Sequence, residues 1–129
     1  MTRFAGYAAV FDRVDRGGDV VRAGAFGEAL SRGVGDVPLL WQHRGHPVGV
    51  IERAQEDAQG LRVIGRIDDA RLAALVRSGA VRGLSFGYRV RAADRRGVRW
   101  RELLALDLVE VSLVAQPMQP LARVVAVGG

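Results

Sequence analysis

The run LDLVEVSLVA (residues 106–115), followed at once by QPMQP, has the clearest structural signal in the chain. Mostly apolar residues, rich in leucine and valine and ended by prolines, predict a deeply buried β-strand. Alternation places Glu110 and Ser112 on one face of this strand and Asp107 on the other. A carboxylate is costly to bury unless it is paired, so Glu110 is expected to bind either an imidazole or one of the arginines.

Other short β-type runs, separated by turn residues, occupy most of the remaining sequence. They are FAGYAAVF, VPLLWQH, VGVIERAQ, GLRVIGRI, GLSFGYRV and VRWREL. GLSFGYRV and VRWREL are expected to pair as a hairpin around the polar segment RAADRRG. VPLLWQH and VGVIERAQ are expected to be adjacent strands that flank a turn at RGHP.

Two segments have the apolar spacing of helices, GAFGEALSRG (residues 24–33) and DDARLAALVRSG (residues 68–79). The second also has acids at its start, and Arg77 and Gly79 at its end. With six or seven strands, these helices predict an α+β protein that is mainly β. We expect a single domain over residues 1–129, built as a small closed or nearly closed β-barrel with helices in the connections.

Composition limits the chemistry that the chain can perform. It has 129 residues and a net charge of +5, and all 19 of its basic residues are arginine. Because cysteine and lysine are absent, thiol nucleophiles, disulfides, Ser–Lys dyads and Schiff bases are excluded. We attribute the arginine content mainly to a GC-rich coding sequence. The arginines are scattered and not interleaved with stacking aromatics, so a nucleic-acid-binding barrel is the weaker alternative.

Neither a transmembrane segment nor a signal peptide is predicted, which favours the cytoplasm. The hydrolytic chemistry that remains is a hydroxyl nucleophile with a histidine base and a carboxylate. Ser85 lies between Gly83 and Gly87, where backbone N–H groups could hold an oxyanion; alternatively it is an ordinary strand residue beside a bulge. His43 and His46 are three residues apart, which fits a weak metal pair or two turn residues.

Five segments, taken in order, resemble the tailed-phage (caudovirus) prohead serine protease family, which is related in fold to the herpesvirus assemblins. They are GYAAVFDRVDRGGDVVRAGAF, PLLWQHRGHPVGV, GLRVIGRI, VRSGAVRGLSFGYRV and LDLVEVSLVAQPMQPLARV. The resemblance implies catalytic roles for Ser85 as nucleophile, His43 as general base and Glu110 as the acidic third member. Asp107 is the fallback for that third role, and His46 receives no catalytic role.

The family's customary P-x-N-P ending appears here as PMQP, with Gln119 in place of asparagine. This departure lies beyond the catalytic residues and puts the local turn geometry in question.

The resemblance implies an endopeptidase of capsid maturation that needs no cofactor or metal. Its substrates would be the scaffold and the N-terminal segment of the major capsid protein, cleaved inside an assembling procapsid. The GC-biased sequence fits a prophage or a gene transfer agent. A non-catalytic capsid-assembly or scaffold-binding module is the alternative. Cleavage-site preference, oxyanion donors and the choice between monomer and homo-oligomer are not decided by the sequence.

Overall fold

The computed structural model describes residues 2–94 and 100–128. Within them the chain forms eight strands and two helices. These are β1 (Thr2–Val10), β2 (Asp19–Val21), α1 (Gly27–Ser31), β3 (Pro38–Trp41), β4 (Arg44–Glu56), β5 (Gly60–Ile67), α2 (Ala70–Arg77), β6 (Gly83–Asp94), β7 (Arg101–Val114) and β8 (Val124–Gly128). The prediction of a mainly β protein with two helices is confirmed. None of the helices among these residues is long and apolar enough to cross a membrane.

All eight strands belong to one sheet, paired in the order β2-β7-β3-β4-β5-β1-β8, with β6 paired to β7. Strand β7 organises the sheet, because antiparallel β6 lies along one of its edges, and parallel β2 and β3 lie along the other. A closed barrel is not confirmed: within the described residues, β2 and β8 end the hydrogen-bonded order without pairing with each other.

The core is formed by the alternate apolar side chains of the strands, together with residues of both helices and their flanks. In β5, Leu61, Val63 and Ile67 are buried, whereas the intervening Arg62 and Arg66 are only partly buried, as the alternation predicts. Helix α2 begins after Asp69, whose carboxylate accepts a hydrogen bond from Leu72 N at 2.9 Å. Phe26, which precedes α1, packs edge-to-face on Phe86 of β6, with ring centroids 5.4 Å apart.

The structure changes the predicted boundaries in four places. VRWREL and LDLVEVSLVA contribute to one continuous strand, β7, while β2 and β8 are additional strands. Helix α1 is shorter than predicted. The adjacent strands β3 and β4 do pair, but the predicted turn RGHP lies inside β4, and the turn itself is formed by Gln42 and His43. The hairpin of β6 and β7 is confirmed, and residues 95–99 of its predicted tip and returning strand lie outside the described residues.

Candidate active site

The paired strands β6 and β7 bring four residues together on one face of the sheet. Ser85 is paired with Ser112, and two positions along the ladder Gly87 is paired with Glu110. Directly opposite residues of antiparallel strands project to the same side, and so do residues two positions apart. Ser85, Ser112 and Glu110 are all buried, so their polar groups lie at the edge of the protein interior rather than in open solvent.

His43 reaches this face from the tight turn between β3 and β4. Trp41 and Arg44 are paired, so Gln42 and His43 are the two central residues of a hairpin turn. Their φ angles, 54° and 62°, are both in the left-handed region, as a type I′ turn requires. Asparagine and glycine favour this conformation, and other residues occupy it at a cost of about 1–3 kcal/mol each.

Three hydrogen bonds to β7 and the residue after it hold the turn in place. Gln42 N donates to the Leu113 carbonyl at 3.0 Å, and His43 N donates to Ser112 Oγ, also at 3.0 Å. The Gln42 side chain in turn accepts from Ala115 N at 2.8 Å. Strand β7 therefore fixes the backbone from which the imidazole projects.

The imidazole of His43 is paired with the Glu110 carboxylate, with Nδ1 and Oε1 2.5 Å apart. The Glu110 side chain is 10% exposed, whereas that of His43 is 43% exposed, so a buried acid meets a base open to solvent. A carboxylate can only accept, so the ring proton belongs on Nδ1. In the neutral ring, this leaves Nε2 as an acceptor.

Ser85 and His43 together line two cavities, of about 130 Å³ and about 250 Å³. Met118 lines both and is half exposed. The walls of the first cavity are mostly apolar, and include Ala8, Leu84, Phe86 and Ala122. A hydroxyl and an imidazole thus line the same two cavities.

One acidic residue that lines the first cavity is neutralised by its neighbours. Asp19 of β2 binds Arg101 of β7 through two contacts, Nε–Oδ1 at 2.9 Å and Nη2–Oδ2 at 3.0 Å. The Tyr88 hydroxyl donates to the same carboxylate at 3.0 Å. Burial, followed by this hydrogen bond, raises the pKa of Tyr88 to about 12.

The two other residues considered from the sequence lie in different surroundings. Asp107 binds Arg32 at 2.7 Å and Arg91 at 3.2 Å. The hydrogen bond from Arg32, together with the charge on Arg91, holds the pKa of Asp107 below its ordinary value. His46 is an exposed residue of β4. The carboxylate brought to His43 is therefore that of Glu110, whereas Asp107 is bound by arginines. The predicted alternation from Asp107 to Glu110 is wrong, because the register between β6 and β7 shifts between these two positions.

A family model described as caudovirus prohead serine protease matches residues 1–128. The chain belongs to this family. The prohead protease of Enterobacteria phage HK97 is 36% identical over 98 residues, which are 70% of this chain and 44% of the phage protein. The match therefore spans less than half the length of that relative.

Two solved proteases share the fold. The capsid assembly protease of bacteriophage T4 superposes with a TM-score of 0.67 at 15% identity, over 87% of this chain and 80% of its own. KSHV protease, solved with a hexapeptide phosphonate inhibitor, superposes with a TM-score of 0.68 at 14% identity, over 99% of this chain and 65% of its own. At these identities the likeness shows the fold alone. The resemblance to prohead proteases and to the assemblin fold is confirmed.

In this member of the prohead protease family, Gln119 is a structural residue, whereas the sequence presented it only as a departure from the family pattern. Its side-chain amide is buried and pairs with the backbone of Val10: Val10 N donates to Oε1, and Nε2 donates to the Val10 carbonyl, each at 2.8 Å. A glutamine amide thus acts as a strand partner for the end of β1. The backbone of Arg16 also donates to the Met118 carbonyl at 3.1 Å, so the loop after β1 lies against the PMQP segment.

Sequence reasoning missed two residues that hold the site together. Ser112 is fully buried and bonds both Glu110 and the His43 backbone. Its position two residues after Glu110, on the same strand face, could have indicated that it contacts the Glu110 carboxylate. Gln42 had no such signal, because neither its residue type nor its neighbours announce a left-handed turn.

Proposed function

We propose that the chain is a serine endopeptidase of capsid maturation, with Ser85 as nucleophile, His43 as general base and Glu110 as the group that orients the imidazole. The observation that carries the proposal is that one imidazole binds a buried carboxylate through Nδ1 and lines the same cavities as a serine hydroxyl. Membership of the prohead serine protease family supports the same chemistry.

The reaction is acyl transfer. His43 Nε2 takes the hydroxyl proton as Ser85 Oγ attacks a peptide carbonyl, and the Glu110 carboxylate stabilises the imidazolium that forms. The imidazolium then gives its proton to the leaving amine, and the acyl-enzyme is hydrolysed by water that His43 activates in the same way.

Cleavage within a chain, rather than at its end, is favoured by the two cavities that share Ser85, His43 and Met118. Space on two sides of a nucleophile allows residues before and after the scissile bond to be held together. The names of the HK97 and T4 relatives, a prohead protease and a capsid assembly protease, favour substrates of capsid assembly. We therefore assign the scaffold and the N-terminal segment of the major capsid protein as substrates, cleaved inside the procapsid.

For the architecture, we propose one domain whose sheet curves into a nearly closed barrel. Support comes from the segment before β8, which approaches the start of β6. Gly83 and Arg123 form an isolated bridge, Leu84 N donates to the Ala122 carbonyl at 2.9 Å, and Val124 N donates to the Arg82 carbonyl at 2.8 Å. These contacts bring the β8 end of the sheet beside the β6–β7 pair.

The test is co-expression with the major capsid protein and scaffold of the same particle, followed by mass spectrometry of the products. Ser85→Ala and His43→Ala are expected to lower cleavage by about 10⁶-fold, and Glu110→Gln to weaken it while the fold is retained. The matched controls are Ser31→Ala, an exposed serine bonded to a helix carbonyl, and His46→Ala, an exposed histidine. Both controls should cleave normally.

Normal trimming by the Ser85→Ala variant would overturn the protease proposal and leave the non-catalytic assembly module. A greater loss from Asp107→Asn than from Glu110→Gln would transfer the orienting role to Asp107. A loss from His46→Ala equal to that from His43→Ala would overturn the assignment of the base.

A further inference from the structure

We propose that Gly87 and Ser112 are positioning residues, which hold the Glu110 carboxylate in the one orientation that presents Oε1 to His43. The inference rests on the proposed function and extends it to two residues that do not touch the substrate. Each residue constrains the same carboxylate, Gly87 by leaving space and Ser112 by a hydrogen bond.

The Glu110 carboxylate lies over the position that a side chain at Gly87 would occupy. A Cβ placed on Gly87 would be 2.5 Å from Oε1 of Glu110, 3.0 Å from its Cγ and 3.1 Å from its Cδ. Carbon and oxygen cannot approach so closely, so even a methyl group would displace the oxygen that contacts His43. The φ of Gly87 is not positive, so glycine is required here for space rather than for backbone conformation.

Ser112 fixes the other carboxylate oxygen. Its hydroxyl donates to Glu110 Oε2 at 2.7 Å and accepts a hydrogen bond from His43 N at 3.0 Å. One fully buried oxygen therefore joins the acid to the backbone of the turn that presents the base. Each carboxylate oxygen then has a single partner in this cluster, Oε1 the imidazole and Oε2 the hydroxyl, which prevents rotation of the carboxylate.

Both residues act through the contact between His43 and Glu110, so their loss should slow acylation without removing the nucleophile. We expect Ser112→Ala and Gly87→Ala each to slow labelling of Ser85 by a fluorophosphonate probe by about 100-fold, the effect of a misplacement of about 1 Å. The matched controls are Ser31→Ala and Gly27→Ala, since a Cβ at Gly27 meets nothing within 4 Å. Both should label at the rate of the unsubstituted protein.

The spectroscopic readout is the proton NMR resonance of His43 Nδ1–H, which a hydrogen bond to a carboxylate moves downfield. We expect that resonance to be lost or moved upfield in Ser112→Ala and Gly87→Ala and unchanged in both controls. Thermal unfolding identifies a variant that fails to fold, and the other variant then decides the question. A purely structural role would alter the unfolding temperature but not the resonance of folded protein.

The inference is overturned if both variants label at the normal rate, or if labelling slows while the resonance stays in place. The Ser85→Ala and Glu110→Gln variants, run in parallel, separate this failure from that of the proposed function. If Ser85→Ala still cleaves the capsid protein, the protease proposal fails. If it is inactive and Glu110→Gln is slowed, while Ser112→Ala and Gly87→Ala behave normally, only the positioning roles fail.

Discussion

At the residue scale, single side chains determine the position of the His43 imidazole. The turn of Gln42 and His43 uses a backbone conformation that neither residue favours, and the hydrogen bonds to β7 compensate for it. The Gln42 side chain is part of that compensation because it accepts from Ala115 N. A residue that never touches substrate thus supports the position of the imidazole.

We expect Gln42→Ala to lower the free energy of unfolding by about 1 kcal/mol, because Ala115 N loses its acceptor. Cleavage should fall as well, since the turn that holds His43 is loosened. Urea unfolding and the cleavage assay measure the two effects. The control is Gln55→Ala, an exposed glutamine of β4, which should change neither. Unaltered stability in Gln42→Ala would show that the bond contributes nothing to the turn.

At the scale of elements, three strands meet where Asp19 of β2, Tyr88 of β6 and Arg101 of β7 are bonded. Because the pKa of Tyr88 is raised from 10 to about 12, the folded protein keeps this phenol protonated between those pH values, whereas the unfolded chain loses the proton. Its contribution to stability is therefore complete below pH 10 and is lost as the pH rises towards 12.

We expect ultraviolet titration to show one of the two tyrosines ionising near pH 12, and Tyr88→Phe to remove that phase. The free energy of unfolding should decrease between pH 10 and pH 12, and decrease less steeply in Tyr88→Phe. A titration phase near pH 12 that persists in Tyr88→Phe would contradict the assignment.

The elements that could be predicted are those whose pattern is local. Strand β5 alternates cleanly, and helix α2 has both its cap at Asp69 and its terminal glycine at Gly79. Strand β2 has only three residues, and exists because β7 offers it a parallel edge. The left-handed turn at Gln42 and His43 depends on hydrogen bonds to residues about 70 positions away, which no local pattern reveals.

The same division holds for the site. The face shared by Glu110 and Ser112 follows from strand alternation, so their proximity could be predicted. The partner of Glu110 could not be predicted from the residues alone, because an arginine and an imidazole were equally reasonable before the pairing of β3 with β7 was known. The resemblance to a family supplied that choice, and the pairing of His43 with Glu110 is consistent with it.

At the scale of the molecule, distant parts of the chain are joined by strand pairing and by side-chain hydrogen bonds. Gln119 lies 109 residues from Val10 and bonds both of its backbone groups. The segment that follows Gln119 continues to β8, which pairs with β1. The Gln119 amide therefore adds a side-chain attachment at the end of β1 to the backbone pairing between β1 and β8. The origin in a prophage or gene transfer agent stays a prediction.

Gln119→Ala is expected to destabilise the whole domain by about 2 kcal/mol or more, because it leaves a buried donor and a buried acceptor of Val10 unpaired. For a chain of this size, that corresponds to a fall of roughly 8 °C in the unfolding temperature. Calorimetry measures the unfolding temperature. The control is Gln116→Ala, because Gln116 is an exposed neighbour. A fall no greater than that of the control would show that this pairing is dispensable.

The central place of β7 has a consequence for the timing of activity. The base at His43 and the nucleophile at Ser85 leave the ribosome before β7 does, since β7 begins at Arg101. Yet Glu110, the hydroxyl of Ser112 and the Leu113 carbonyl that anchors the turn all belong to β7. A nascent chain without this strand has a serine and a histidine but nothing to align them. In the proposed mechanism, the enzyme is therefore inert during its own synthesis and becomes competent only when its longest strand has been inserted between its neighbours.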